Sequence, residues 1–170
     1  MIKGNKVVLR RKRLEDAWKD YAWKSDPDLA CLDATVPLTI PFSIYYTSYS
    51  QELHCADMMD HRYAIETMDG EHIGNCSCYN VDHTRGEAEL GILIGDPDYW
   101  SKGYGSDAVT MLVSHVFNEG NMNKIYLHTL EDNVRAQRCF QKCGFVACGP
   151  VTREGHKFIL MEIEKPQTPF

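Results

Sequence analysis

An apolar strand, a short turn and a glycine-rich loop that opens a helix follow one another in the middle of this sequence. The strand pattern runs to Ile94, Gly103 and Gly105 lie in the loop, and an amphipathic stripe begins at Ala108. The first backbone N–H groups of a helix have no partner within it, so they form a positive pole, and glycine lets a ligand approach them closely. The stretch therefore predicts an anion site that suits a phosphate group.

Other phosphate-binding motifs fit this loop less well. Gly103-x-Gly105-x-x-Ala108 matches the dinucleotide fingerprint, but a Rossmann turn follows its strand almost directly, and residues 95–102 intervene here. The loop also lacks the Gly-Lys-Ser/Thr ending of a P-loop. Taken alone, the loop is equally compatible with an ordinary glycine-rich turn and with an anion site.

Hydrophobic periodicity predicts the order β-α-α-β-β-β-α-β-α-β-β. Antiparallel hairpins followed by one β-α-β crossover give a mixed sheet flanked by helices, an α/β fold. Asp69-Gly70 predicts a type I′ hairpin turn, and residues 32–50 read mostly as loop. The length favours a single domain over residues 1–170, with 165–170 as a loose tail. The predicted strands are 7–10, 61–68, 72–79, 87–94, 124–129, 146–148 and 158–163, and the helices are 14–22, about 48–60, 108–116 and 134–143.

A second motif, Asn133-x-x-Ala136 followed by Gly144-Phe145, reads as a helix that ends in glycine before a new strand. The two motifs together resemble the acyl-CoA-binding core of the GNAT superfamily of N-acetyltransferases, in its RimJ/RimL-like branch. The glycines of the GNAT signature, Gln/Arg-x-x-Gly-x-Gly/Ala, are present, and Trp100 stands where glutamine or arginine is usual. A tryptophan there is similar to a RimJ/RimL-type variant.

The resemblance implies that the cofactor is acetyl-CoA. Backbone N–H groups from Ser101 to Ser106 would hold its pyrophosphate, and the strand before the loop would pair with its pantetheine arm. Core packing of that strand and an N-cap role for Asn133 are the alternatives, and both are compatible with cofactor binding. The positions that the resemblance assigns to the cofactor are Ile92, Leu93, Ile94, Trp100, Ser101, Lys102, Gly103, Tyr104, Gly105, Ser106, Asn133 and Phe140.

Acetyl transfer to an amine requires a base, because an alkylammonium group has a pKa near ~10.4. By resemblance to relatives with a carboxylate on this strand, Glu89 is the predicted base. Glu87 shares its face two residues earlier, and His128 is a further candidate on the neighbouring strand. A solvated carboxylate with no catalytic role is the plain alternative.

The family often has tyrosine as general acid at the position of Phe140, and a phenyl ring cannot donate a proton. Tyr104, Ser101 or water could replace it. The expected function is therefore direct acetyl transfer in a ternary complex to a primary amine of a peptide N-terminus, polyamine or small molecule. The alternative is an acyl-CoA-binding sensor or scaffold with weak or no catalysis.

Composition limits the partners and the compartment. The net charge of −6 disfavours nucleic acid and favours cationic substrates, and we read Arg10–Arg13 as a solvated strand end. No apolar run approaches the ~18 residues of a membrane span. Seven cysteines without a secretory leader predict reduced thiols, packed as small apolar groups, in the cytoplasm. The cysteine spacing and the lack of a His-x-x-x-His helix predict no metal site. A homodimer is possible.

Overall fold

The computed structural model describes residues 1–55 and 61–167. Its strands are β1 (Ile2–Lys3), β2 (Val7–Arg11), β3 (His61–Thr67), β4 (His72–Asp82), β5 (Glu87–Ile94), β6 (Lys124–Leu130), β7 (Val146–Arg153) and β8 (His156–Glu164). Its helices are α1 (Ala17–Ser25), α2 (Pro27–Leu32), α3 (Phe42–Cys55), α4 (Tyr104–Glu119) and α5 (Val134–Lys142). Short 3₁₀ turns at Leu14–Asp16 and Pro97–Tyr99 precede α1 and the glycine loop.

All the described strands join one mixed sheet, in the order β1-β2-β3-β4-β5-β6-β8-β7. Every neighbouring pair is antiparallel except β5 and β6, which are parallel and are linked through α4. A parallel pair needs such a crossover, because its second strand must start again from the same end of the sheet. The mixed α/β architecture predicted from the sequence is confirmed.

The two faces of the sheet carry different helices. Cys76 of β4 belongs to the main core, which includes Leu112 and Val116 of α4 and Phe140 of α5. The neighbouring Asn75 points the other way along the strand, and its amide donates to Asp20 of α1. The helices α4 and α5 therefore cover one face, while α1 and α3 cover the other.

The structure corrects several local predictions. Helix α2 was not predicted; the Asp26 carboxylate accepts the N–H groups of Asp28 and Leu29 and caps it, with Pro27 in the first helical position. The aromatic segment predicted as loop contains most of α3, which begins at Phe42. Strand β1 was not predicted, and β7 and β8 are longer than expected. The predicted end of the second helix, 56–60, lies outside the described residues.

The turn between β3 and β4 is not of type I′. Gly70 has a positive φ of 89° and its N–H donates to Thr67 O, whereas Asp69 is not among the residues with positive φ. A type I′ turn needs positive φ at both central residues. The chain therefore uses an ordinary turn over Met68 and Asp69, with Gly70 in the left-handed position that follows it.

A buried polar network fixes the segment before α1 to the sheet. It corrects the prediction of a solvated basic strand end at Arg10, whereas Arg11 and Arg13 are exposed. Arg10 is only 6% exposed, and its guanidinium donates to both carboxylate oxygens of Asp16 at 2.8 Å and also pairs with Glu66. Burial acts to raise the pKa of Asp16, but the hydrogen bonds from Arg10 and from the Arg13 N–H outweigh it, so this pKa lies below its ordinary value. Asp16 therefore stays charged inside the network.

His72 lies in the same network in its neutral form. Its Nε2 atom lies 2.9 Å from Gly74 O and 3.1 Å from Asn75 Oδ1. Burial lowers the pKa of His72, and the hydrogen bond to Asn75 offsets this only in part. As the pH falls below the unfolded-state value of about 6.5, the unfolded chain takes up this proton before the folded chain does.

Stability should consequently fall as the pH drops from 7.5 to 5.5, with a slope of up to about 1.4 kcal/mol per pH unit from this one group. His72→Gln should be less stable at pH 7.5 but lose less on acidification, because glutamine has no proton to gain. Urea unfolding of both proteins at the two pH values measures this, with the exposed His83→Gln as control. An unchanged pH dependence in His72→Gln would show that another group is responsible.

Candidate active site

The strands β5 and β6 separate after a short parallel contact. They pair at Glu87–Lys124, Ala88–Ile125 and Glu89–Tyr126 and at no later position, although β5 continues to Ile94 and β6 to Leu130. A wedge therefore opens inside the sheet beyond Glu89, and it leads towards the glycine loop that follows β5.

The register of β5 exposes particular peptide groups to this wedge. The Gly95 N–H donates to Ile73 O, and hydrogen-bonded pairs alternate along an antiparallel ladder, so the peptide groups of Ile94 and Ile92 point away from β4. The Ile94 carbonyl is already used, since Trp100 Nε1 donates to it at 2.7 Å. The N–H and C=O of Ile92 face the wedge, whereas those of Leu93 face Asn75 of β4.

The glycine loop begins α4 in the manner that an anion site requires. Gly103, with φ of 88°, precedes the helix in the left-handed conformation, and the Asp107 N–H closes the first turn on Gly103 O. The N–H groups of residues 104–106 thus have no partner within the helix. The Asp107 carboxylate accepts the N–H groups of Lys6 and Val7, which fixes this helix end against the β1–β2 turn.

A cleft of about 570 Å³ joins the wedge to the loop. Most of the residues predicted to bind the cofactor line it, namely Ile92, Leu93, Ile94, Trp100, Ser101, Gly103, Gly105, Ser106, Asn133 and Phe140. Lys102 and Tyr104 lie outside this lining. The Lys102 ammonium donates to Asp98 O at 2.6 Å, and the Tyr104 ring packs edge-on against Tyr99.

Sequence reasoning missed the positive charge of the cleft, which comes from α5. Arg135, Arg138 and Lys142 line it, and the Arg135 guanidinium lies 3.7 Å from the centroid of the Trp100 ring. Their spacing of three and seven residues places them on one helical face and was the signal available in the sequence. Trp100 thus supports a cation at the position where the family usually supplies a polar side chain.

The start of α5 confirms one predicted role. The Asn133 side chain accepts the Ala136 N–H at 3.3 Å and so caps the helix. Phe140 is 7% exposed and packs edge-on against Phe145, with ring centroids 5.9 Å apart. Its ring forms part of the cleft wall without offering a proton donor.

The cysteines do not all behave as buried apolar groups. Cys31, Cys55 and Cys148 are exposed. Cys139 lines the cleft, with Sγ 3.3 Å from Ser106 Oγ. Cys143 Sγ lies 3.4 Å from Ser106 O. The hydrogen bond from Cys143 to Cys139, followed by that from Ser106, holds the pKa of the Cys139 thiol below its ordinary value despite burial.

Glu89 lies at the closed end of the wedge, is 5% exposed, and is paired with His128. The Asn80 amide donates to Glu89 Oε2 at 2.8 Å, and Glu89 Oε1 lies 2.8 Å from His128 Nδ1. Since the carboxylate can only accept, the neutral ring carries its proton on Nδ1 and leaves a lone pair on Nε2. Arg153 Nη1, 3.9 Å from Glu89 Oε1, partly balances the carboxylate charge.

The other predicted candidate, Glu87, has a different environment. It pairs with Lys124 at 2.7 Å, and Lys124 also approaches Glu162 at 3.6 Å. Glu87 and Lys124 are paired in the β5–β6 ladder, before the point where the wedge opens. Glu87 therefore forms an ion pair between neighbouring strands. The sheet face is the one feature that it shares with Glu89.

A tyrosine that the sequence argument did not consider lies beside Glu89. Tyr79 is opposite Glu89 in the β4–β5 register. Burial first, and then the negative charges of Glu89 and Asp33, raise the pKa of Tyr79 to about 12. Its hydroxyl consequently remains protonated at neutral pH.

Comparison with known proteins supplies the family. Residues 6–146 match the acetyltransferase (GNAT) domain. The chain belongs to the GNAT acetyltransferase family. The GNAT fold predicted from the two motifs is thereby confirmed, and no helix in the described part of the chain is long and apolar enough to cross a membrane.

Individual relatives are distant. The chain is 27% identical over 106 residues to a spermidine N(1)-acetyltransferase of Vibrio cholerae, an alignment that covers 62% of this chain but only 60% of that relative. The fold is similar to that of a crystal structure of V. cholerae spermidine N-acetyltransferase in complex with CoA and spermine, with a TM-score of 0.81, 22% identity and coverage of 93% and 95%. It is also similar to an aminoglycoside acetyltransferase in complex with coenzyme A, with a TM-score of 0.75, 22% identity and coverage of 94% and 95%.

Gly105 gives the sharpest test of this GNAT chain's cleft. A Cβ atom there would have ordinary contacts, 3.7 Å from Cys139 Sγ and Ile94 Cγ1, and its φ is not positive. Gly105→Val should therefore fold normally, because valine is no worse than glycine in a helix, while its branched side chain fills the cradle. We expect coenzyme A affinity, measured by calorimetry, to fall at least about tenfold.

The control is Gly120→Val at the other end of α4, where the space is also open. It should leave coenzyme A affinity unchanged. Gly103 is less suitable, because its positive φ strains any side chain placed there. Equal coenzyme A affinity in Gly105→Val and the parent protein would contradict the cradle assignment.

Proposed function

We propose that this chain is an acetyl-CoA-dependent N-acetyltransferase that acts on primary amines of polycationic acceptors, in a ternary complex. The proposal rests on the position of the wedge between β5 and β6. The wedge lies between a cationic cleft with unpaired helix N–H groups and a buried carboxylate–histidine pair. Trp100, with Arg135 stacked on it, supports placement in the RimJ/RimL-like branch.

The cleft offers suitable groups for both the phosphates and the pantetheine arm of coenzyme A. Unpaired N–H groups at the start of α4, together with Arg135, Arg138 and Lys142, suit the phosphates. The free peptide group of Ile92 suits an amide of the pantetheine arm, which would bind as a short added strand. When bound there, acetyl-CoA would supply an activated acetyl thioester for attack by the amine.

Glu89 and His128 would remove the proton from the acceptor amine. The carboxylate orients the imidazole through Nδ1–H and stabilises the cation that forms when Nε2 accepts a proton, as in other carboxylate–histidine pairs. The His128 side chain, 15% exposed against 7% for Glu89, is the more accessible of the two. Glu89 thus acts in proton removal either through His128 or through a water molecule.

Acidic groups on the acceptor side favour a polycation. Asp33 lines the cleft near α2, and the negative charges of Asp33 and Glu89 both raise the pKa of the Tyr79 hydroxyl. The net charge of −6 attracts cations at longer range. Relatives named for spermidine and for aminoglycosides, both polyamines in the chemical sense, agree with this class.

Phe140 favours one other function, an acyl-CoA-binding protein with weak or no catalysis. The protonated Tyr79 hydroxyl, Ser101 or water would then not serve as a general acid.

We further propose that residues 1–170 act as one domain and that the protein works in the cytoplasm, where its seven free thiols would stay reduced. Lys165, the first residue of the predicted tail, donates its N–H to Asn123 O. Homodimerisation stays a prediction.

Thiol release from acetyl-CoA should be accelerated by spermidine and by an aminoglycoside more than by a peptide with a free N-terminus. Glu89→Gln should lower kcat for the best acceptor by about 10²–10⁴ with unchanged coenzyme A affinity. The loss should shrink as the pH approaches the ~10.4 of the amine, which then deprotonates unaided.

Glu87→Gln is the matched control, since it removes a carboxylate from the same strand and face but not from the wedge. It should keep near-parental kcat. A fall in His128→Gln equal to that in Glu89→Gln would support the relay, and full activity of both variants would contradict the mechanism. Coenzyme A binding without release by any amine would favour the acyl-CoA-binding alternative.

A further inference from the structure

A group of metal-ligating side chains lies at the far end of α4 from the cofactor cradle. His115 and Glu119 are four residues apart, so they share one face of α4, and His115 Nε2 lies 3.0 Å from Glu119 Oε2. His61, the first residue of β3, approaches them from the sheet, with its ring centroid 6.0 Å from that of His115. Two elements distant in sequence thus bring two imidazoles and a carboxylate together.

The spacing of these groups suits a small cation. One ligand atom from each residue can be chosen so that all lie within 4.8 Å of one another. A tetrahedral ion with bonds of ~2.0–2.1 Å holds its ligand atoms about 3.3 Å apart. Small side-chain rotations close this difference, because Glu119 is exposed and both histidines are only partly buried.

We propose that His61, His115 and Glu119 bind a divalent transition-metal ion, with Zn²⁺ as the best-matched ion. Two neutral imidazoles and one carboxylate are a borderline donor set that suits zinc, whereas magnesium and calcium prefer oxygen ligands alone. A water molecule can complete the coordination.

This site is separate from the proposed acetyl-transfer chemistry. Ten residues of helix, about 15 Å at 1.5 Å per residue, separate Gly105 from His115. The ion would tie the last turns of α4 to the start of β3 and would therefore act on stability. The sequence prediction of no metal site rested on the cysteine spacing and on the lack of His-x-x-x-His, and the pattern here is His-x-x-x-Glu completed by a remote histidine.

Zinc binding to the untagged full chain, measured by calorimetry and by thermal unfolding, tests the site. The parent protein should bind one Zn²⁺ and unfold at a higher temperature with it, and Mg²⁺ should have no effect. Glu119→Gln, a change at an exposed position that should not disturb folding, should weaken Zn²⁺ binding at least about tenfold, and His61→Ala should do the same.

Matched controls are Glu131→Gln and His83→Ala, an exposed carboxylate and an exposed histidine outside the cluster. Both should bind Zn²⁺ like the parent. The proposal is overturned if the parent binds no Zn²⁺ saturably. It is also overturned if Glu119→Gln and His61→Ala bind it as tightly as the parent, which would assign the ion to the exposed cysteines.

Discussion

The early end of the parallel pairing between β5 and β6 is the constraint on which the rest of the structure depends. A continuous sheet would use every peptide group of both strands, and the separation beyond Glu89 and Tyr126 leaves Ile92 able to pair with something else. The same separation opens the wedge that leads into the cleft and to the start of α4, and Glu89, paired with His128, lies where the two strands part.

Groups of both charges lie around this opening. Cations of α5 and the start of α4 line the cleft, which Asp33 also lines, while Glu89 is buried at the closed end of the wedge. The buried Arg10–Asp16 pair holds the start of α1 against the sheet, on the face that α1 and α3 cover.

The sequence was sufficient for the elements whose signal is local. Strand β5, the loop glycines and the Asn133 cap could all be predicted, because each depends on periodicity or on a residue with one favoured backbone role. The start of α3 and the burial of Arg10 could not, since tertiary partners such as Asp16 and Glu66 decide them. The Glu89–His128 pairing likewise joins residues from two strands, and neither residue alone distinguishes a hydrogen-bonded pair from two solvated side chains.

The amide hydrogen exchange of Ile92 tests the central claim most directly, because its N–H faces the wedge. Saturating coenzyme A should slow exchange at Ile92 by at least about tenfold, through the hydrogen bond to the pantetheine arm. Exchange at Leu93, whose peptide group already pairs with Asn75, should change much less. Unchanged exchange at Ile92 with coenzyme A fully bound would contradict the account, since the cofactor would then bind without entering the wedge.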